Sequence, residues 1–99
     1  MLCQPTMIKC VVEMFGIPHE ITGLREVEVS LNEKASLADL IATLRQEFPA
    51  LDGRVIQPGK DRLIDSYGFN IKGQFYFDDG QVQLEDGDHV IIITIATGG

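Results

Sequence analysis

The chain predicts an α+β fold in which a mixed sheet rolls around one main helix, with residues 1–99 forming a single domain. Three observations carry this expectation. Residues 89–95, His-Val-Ile-Ile-Ile-Thr-Ile, put Val90 and Ile92 on one face and Ile91, Ile93 and Ile95 on the other. A strand apolar on both faces belongs in the middle of a sheet. Two segments near the start alternate with a period of two, and one stretch, Ser36–Phe48, carries a single helical stripe.

In chain order, 1–6 reads as a loose N-terminus. Met7 to Phe15 then places Ile8, Cys10, Val12 and Met14 on one face and Lys9 and Glu13 on the other, the pattern of a strand. Gly16-Ile17-Pro18 breaks it, and Gly23 closes a connecting loop that contains His19. From Leu24 to Leu31, Val27, Val29 and Leu31 face one way and Glu26, Glu28 and Ser30 the other. Such a half-exposed strand pairs with the first as a hairpin.

Ser36 is a good helix N-cap, and Asp39 at the third helical position completes a capping box in which Asp takes the usual place of Glu. Leu37, Leu40, Ile41, Leu44 and Phe48 follow on one stripe. Burying each contributes roughly 1.5–3 kcal/mol before ordering costs. Pro49 ends the helix.

Between Ala50 and Tyr67 the pattern weakens. Asp52-Gly53 and Pro58-Gly59 are turn pairs, and a partly ordered connection packing Leu51, Ile56 and Leu63 under the sheet is expected. Short β runs follow at 69–71 and 74–77. Asp78-Asp79-Gly80 turns the chain, Leu84 points inward, and Glu85-Asp86-Gly87-Asp88 turns it into the last strand. That strand should lie beside the first and parallel to it, joined through the helical crossover.

Composition limits function. Eight basic residues against fifteen acidic ones leave a formal charge of −7, a surface that phosphate backbones repel, so nucleic acid is not expected as a direct partner. It suits a partner with a basic face. No apolar run is long enough to span a bilayer, and the N-terminus lacks a basic region followed by an apolar one. A cytoplasmic protein is expected, with no membrane partner. Cys3 and Cys10 are too few and too widely spaced for a disulfide framework or zinc site. His19 and His89 make no catalytic pair, and the aspartates of the two acidic turns suit local backbone bonding better than metal ligation. No metal, no bound cofactor and no catalytic residue is expected, and no glycine loop cradles a phosphate. The chain is read as a carrier or substrate and not as an enzyme.

What remains is the tail. Glycine is about 7% of average composition, so a random chain ends in two glycines about once in two hundred times. Here the apolar strand runs into Ala96-Thr97-Gly98-Gly99. A main-chain carboxylate has a pKa of about 3.3–3.7 and is unreactive until a leaving group is installed, as ATP does by forming an acyl-adenylate. Residues without Cβ allow close backbone approach, which threading a reacting carbon into an enzyme channel requires.

This strand and tail, with Leu84-Glu85-Asp86-Gly87-Asp88 before them, resemble the MoaD/ThiS family of ubiquitin-like sulfur carriers with the β-grasp fold. Pro58-Gly59 followed by Leu63-Ile64, again with Leu84–Asp88, resembles the ubiquitin-related modifier branch. The resemblance implies that Gly99 is adenylated by an enzyme of the ubiquitin-activating type, which uses ATP. A persulfide donor would then convert Gly99 to a thiocarboxylate. Gly98 would thread, Thr97 and Ala96 would line the partner's channel, and Phe75 and Ile91 on the outer face of the sheet would dock the activating enzyme. The leading acceptor is molybdopterin, through the synthase's large subunit. Thiamin thiazole synthesis, tRNA thiolation and conjugation to lysines are alternatives, and a β-grasp module that binds non-covalently is a further one.

Overall fold

The structure, a computed structural model, describes residues 7–76 and 81–94. The N-terminal stretch 1–6, the Asp78-Asp79-Gly80 turn, Ile95 and the tail from Ala96 to Gly99 lie outside the described residues.

Alternation builds the hairpin as expected. Strand β1 (Met7–Met14) pairs antiparallel with β2 (Glu26–Asn32), setting Ile8 opposite Leu31, Cys10 opposite Val29 and Val12 opposite Val27. The last strand, β5 (His89–Thr94), lies on the other side of β1 and parallel to it, with Val12 beside Val90 and Met14 beside Ile92. On its far side β5 pairs antiparallel with β3 (Tyr67–Ile71), which pairs in turn with the short edge strand β4 (Gln74–Tyr76). The order β2-β1-β5-β3-β4 puts the doubly apolar strand at the centre.

Helix α2 (Leu37–Glu47) covers one face of this sheet. Its capping box is formed as read: the Asp39 N–H donates to Ser36 Oγ at 3.3 Å, and the Ser36 N–H donates to Asp39 Oδ2 at 2.9 Å. Leu37, Leu40, Ile41 and Leu44 are buried, with Phe48 partly buried at the C-cap. They meet the inward row of the sheet: Ile8, Cys10, Val12, Met14, Val29, Leu31, Phe69, Ile71, Val90 and Ile92 in one apolar core.

Two segments differ from the sequence reading. The connection after β1 is not all loop, because Ile17–Thr22 form a helical turn and a half, α1, with Pro18 in the first turn. Proline is tolerated there since that N–H has no helical partner to lose, so Pro18 starts the helix, the strand having already ended at Met14. Gly23, at φ 75°, closes it in the left-handed conformation. His19 therefore sits on a helix and not in a loop.

The 50–67 connection is also more ordered than expected. Pro49–Leu51 form a 3-10 turn, Ile56 bridges both Asp52 and Leu63, and Leu51, Val55, Ile56 and Leu63 are buried. Arg45, off the apolar stripe of α2, holds this segment from above. Its guanidinium donates to Asp52 Oδ1 at 3.0 Å, Asp61 Oδ1 at 2.9 Å and the Gln57 carbonyl at 3.1 Å, and it also reaches the Lys60 carbonyl. The Asp61 hydrogen bond first, then Asp52, raises its pKa further above the ordinary guanidinium value.

Candidate functional site

With the helix on one face, the other face of the sheet is left open, and register decides what it shows. Residues Glu26 of β2, Glu13 of β1, Ile91 of β5, Asn70 of β3 and Phe75 of β4 form one straight row across all five strands. The two residues expected to dock a partner, Phe75 and Ile91, thus lie in the same row on either side of Asn70. At about 4.8 Å per strand they are roughly 10 Å apart. Phe75 is 57% exposed, a large apolar side chain on an edge strand, and Ile91 is partly covered by its neighbours.

The next row along β5 adds Ile93, partly buried, beside Gly68 of β3. Gly68 is itself buried, so its neighbours close over it. Phe15, 52% exposed, follows β1 at the same end of the sheet, and Ile17 and Leu24 are exposed where the chain passes through α1 and returns to β2. Phe15 lines a shallow groove with Glu13, Arg25 and Glu26. Exposed apolar groups clustered on one face mark an interaction surface better than scattered ones do.

Thr94, the last described residue, lies at this same end of the sheet. The β1–β5 ladder stops at Met14 beside Ile92, while β3 keeps pairing as far as Thr94 opposite Tyr67. Strand β1 turns away at Gly16, whose φ of 64° and ψ of −129° belong to glycine almost alone. The residues for which the resemblance implies the carrier role, Ala96, Thr97, Gly98 and Gly99, follow in sequence and lie outside the described residues. Thr94 is exposed, so what the structure supplies is their point of departure, next to Phe15 and the row of Ile91.

The other end of β5 is tied down firmly. The turn 85–88 sits against the β1 main chain through three hydrogen bonds: the Lys9 N–H to the Asp86 side-chain Oδ1 at 2.8 Å, and two main-chain bonds, the Gly87 N–H to the Lys9 carbonyl at 2.8 Å and the Val11 N–H to the Asp88 carbonyl at 3.0 Å. Asp88 is buried, accepts the Glu85 N–H at 2.8 Å and faces Lys72 Nζ at 3.5 Å. The hydrogen bond from Lys72 to Glu85, together with the Asp88 charge, raises the lysine's pKa. The aspartates of this turn hold backbone, as the sequence suggested, although Asp86 does so across the whole chain length and not locally. His89 opens β5 in the centre of the sheet rather than at an edge, with Nε2 2.7 Å from Glu13 Oε1. Its alternation with Ile91 was legible in the sequence, but its neighbours were not.

No helix among the described residues is long and apolar enough to cross a membrane. Comparison with known proteins places this architecture. Small archaeal modifier protein 3 of Haloferax volcanii is 24% identical over 88 residues, covering 89% of this chain and 96% of that one. The crystal structure of SAMP1 from Haloferax volcanii superposes with a TM-score of 0.77 at 23% identity, over 92% of this chain and 99% of the other. A putative molybdopterin converting factor, subunit 1, from Pyrococcus furiosus gives 0.69 at 22% identity, over 90% and 99%. The five-stranded mixed sheet with its helix is therefore the β-grasp, ubiquitin-like fold. A model of the ThiS family matches residues 12–99, nearly the whole sheet, the helix and the glycine tail, and the chain belongs to that family of ubiquitin-like carriers and modifiers.

Proposed function

We propose that this chain carries sulfur on the carboxylate of Gly99. A partner enzyme of the ubiquitin-activating type binds the outer face of the sheet through Phe75, Ile91 and the apolar residues beside Thr94. It draws the tail into its own site, where a carboxylate oxygen of Gly99 attacks the α-phosphorus of ATP and pyrophosphate leaves. The terminal sulfur of a persulfide then attacks the acyl carbon and displaces AMP. A second thiolate attacks the donor-side sulfur of the resulting acyl disulfide, forming a disulfide with the donor and releasing the thiocarboxylate. In this scheme the folded body supplies position and recognition, and the reacting bonds all belong to the tail and its partners. The leading acceptor is the molybdopterin precursor on a synthase large subunit, with thiamin thiazole synthesis and tRNA thiolation drawing on the same activated end.

The observation that carries this reading is a family match that runs through the glycine pair, together with a central strand that delivers the chain to that pair from an apolar face. Intact mass spectrometry of the protein produced with its own terminus, in cells holding the sulfur-transfer enzymes, tests it. One oxygen replaced by sulfur at Gly99 is the expected result. A species that keeps full cellular function with a bulky residue appended after Gly99 overturns it.

Similarity to a small archaeal modifier protein favours a second use of the same adenylate, attack by a lysine amine to give an isopeptide bond. Adducts on other proteins, lost on deleting Gly98 and Gly99, distinguish that outcome.

A further inference from the structure

Three strands meet on the outer face of the sheet with three metal-binding side chains. Glu26 of β2, Glu13 of β1 and His89 of β5 each offer one ligand atom, and the three atoms lie within 4.8 Å of one another. His89 Nε2 is already 2.7 Å from Glu13 Oε1. Nitrogen and oxygen ligands about 2.0–2.2 Å from a tetrahedral zinc ion stand a little over 3 Å apart, so small side-chain rotations convert this group into a coordinating set.

The backbone makes this meeting close. The Met14 N–H donates to the Arg25 carbonyl at 2.7 Å, which makes those two a hydrogen-bonded pair of the ladder. The next pair, Glu13 and Glu26, is then of the non-hydrogen-bonded kind, in which side chains approach more closely. Two carboxylates directly opposite each other repel. Arg25, which lines the adjoining groove, offers one compensating charge, while Glu28, the cross-strand partner of Val11, adds a further negative one.

We propose that Glu13, Glu26 and His89 form a site for a divalent transition-metal ion of the zinc class, with an outward coordination position left open. Two carboxylates and a neutral imidazole balance the charge of such an ion, and imidazole with carboxylate favours zinc over calcium or magnesium. Each ligand stands on a strand whose position is fixed by its neighbours, two of them on the central pair. Three protein ligands leave a fourth place free, as in sites that accept an exchangeable ligand. That place faces the same side as Ile91 and Phe75, so a histidine or carboxylate of a docked protein could fill it. The site is independent of the tail chemistry and stands or falls separately from it.

Zinc and cobalt ions, added singly to the metal-free protein, test the site by calorimetry and by the visible absorption of bound cobalt. The wild type is expected to bind one equivalent and to give the spectrum of cobalt held by nitrogen and oxygen. Glu26→Gln and His89→Gln should each weaken binding about tenfold or more, since loss of even a supporting group costs a metal site that much. Glu28→Gln, which removes the same charge from the same face, should leave binding unchanged. Equal weakening by Glu28→Gln, no weakening by the other two, or a thiolate-to-cobalt absorption band placing the ion on a cysteine would each overturn the proposal.

Discussion

The backbone N–H of Lys9 donates to a carboxylate oxygen of Asp86 at 2.8 Å, across 77 positions of sequence. It pins the turn before the last strand to the beginning of the first strand, so the register of the central parallel pair is set at its entry. Asp86→Ala leaves that N–H without its charged acceptor. A hydrogen bond to a charged group is worth about 1.5–3 kcal/mol, and exposure of this one argues for the lower end. A fall of about 1.5 kcal/mol in urea-denaturation stability is expected, with Asp86→Asn recovering most of it.

Arg45 should not tolerate lysine. Its partners are distributed around a planar fork, and an ammonium cannot reach them together. The carboxylate pairs are half exposed, so the global loss is about 1 kcal/mol. The sharper readout is hydrogen exchange: amides of 52–62 should exchange faster in Arg45→Lys while those of β1 and β5 stay protected.

Gly16 provides a cleaner backbone test. A Cβ there meets no atom within 4 Å, yet φ is positive and ψ lies far from the left-handed helical region. Gly16→Ala should therefore cost about 1–3 kcal/mol through conformation alone, measured as a lowered denaturation midpoint with an unchanged slope.

Cys10 predicts an alkaline limit. Burial first, then the charges of Asp88 and Asp86, raise the pKa of its thiol. Above about pH 8.5, where an unperturbed thiol ionises, the unfolded chain loses a proton that the folded chain still holds. Stability then falls as pH rises, because the folded state binds more protons. The contribution is complete below the unfolded pKa and is gone above the folded one. Cys10→Ala should flatten the stability profile on the alkaline side, compared with wild type by denaturation from about pH 7 to about pH 10, which brackets the unperturbed thiol ionisation.

Phe75→Ala separates recognition from folding. The side chain is largely exposed, so thermal stability should change little, whereas a central aromatic anchor of an interface costs more than about 1 kcal/mol when truncated. Under the proposed function, the rate of adenylation by an activating enzyme at low carrier concentration should fall about fivefold or more.

Much of this fold could be read from pattern. The doubly apolar run at 89–95 announced a central strand, and Ser36 with Asp39 announced a helix start, because each signal is local and has few physical alternatives. Helix α1 was hidden because six residues are too few to show a stripe, and Pro18 serves equally to end a strand or begin a helix. Order in the 50–67 segment depends on Arg45, whose position off the apolar stripe says only that it is near solvent. Alternation likewise put Glu13 and Glu26 on the outer face. Register between strands, which no single segment encodes, brought them together with His89 and aligned Ile91 with Phe75.

Insertion of β5 between β1 and β3 has a consequence for biosynthesis. A ribosome must have released residue 94 before the middle of the sheet can close, and until then two neighbouring edges remain unsatisfied. Chains interrupted before that point lack the keystone of the body. Under the proposed function, the terminal glycines are made last, after every strand that the sheet needs.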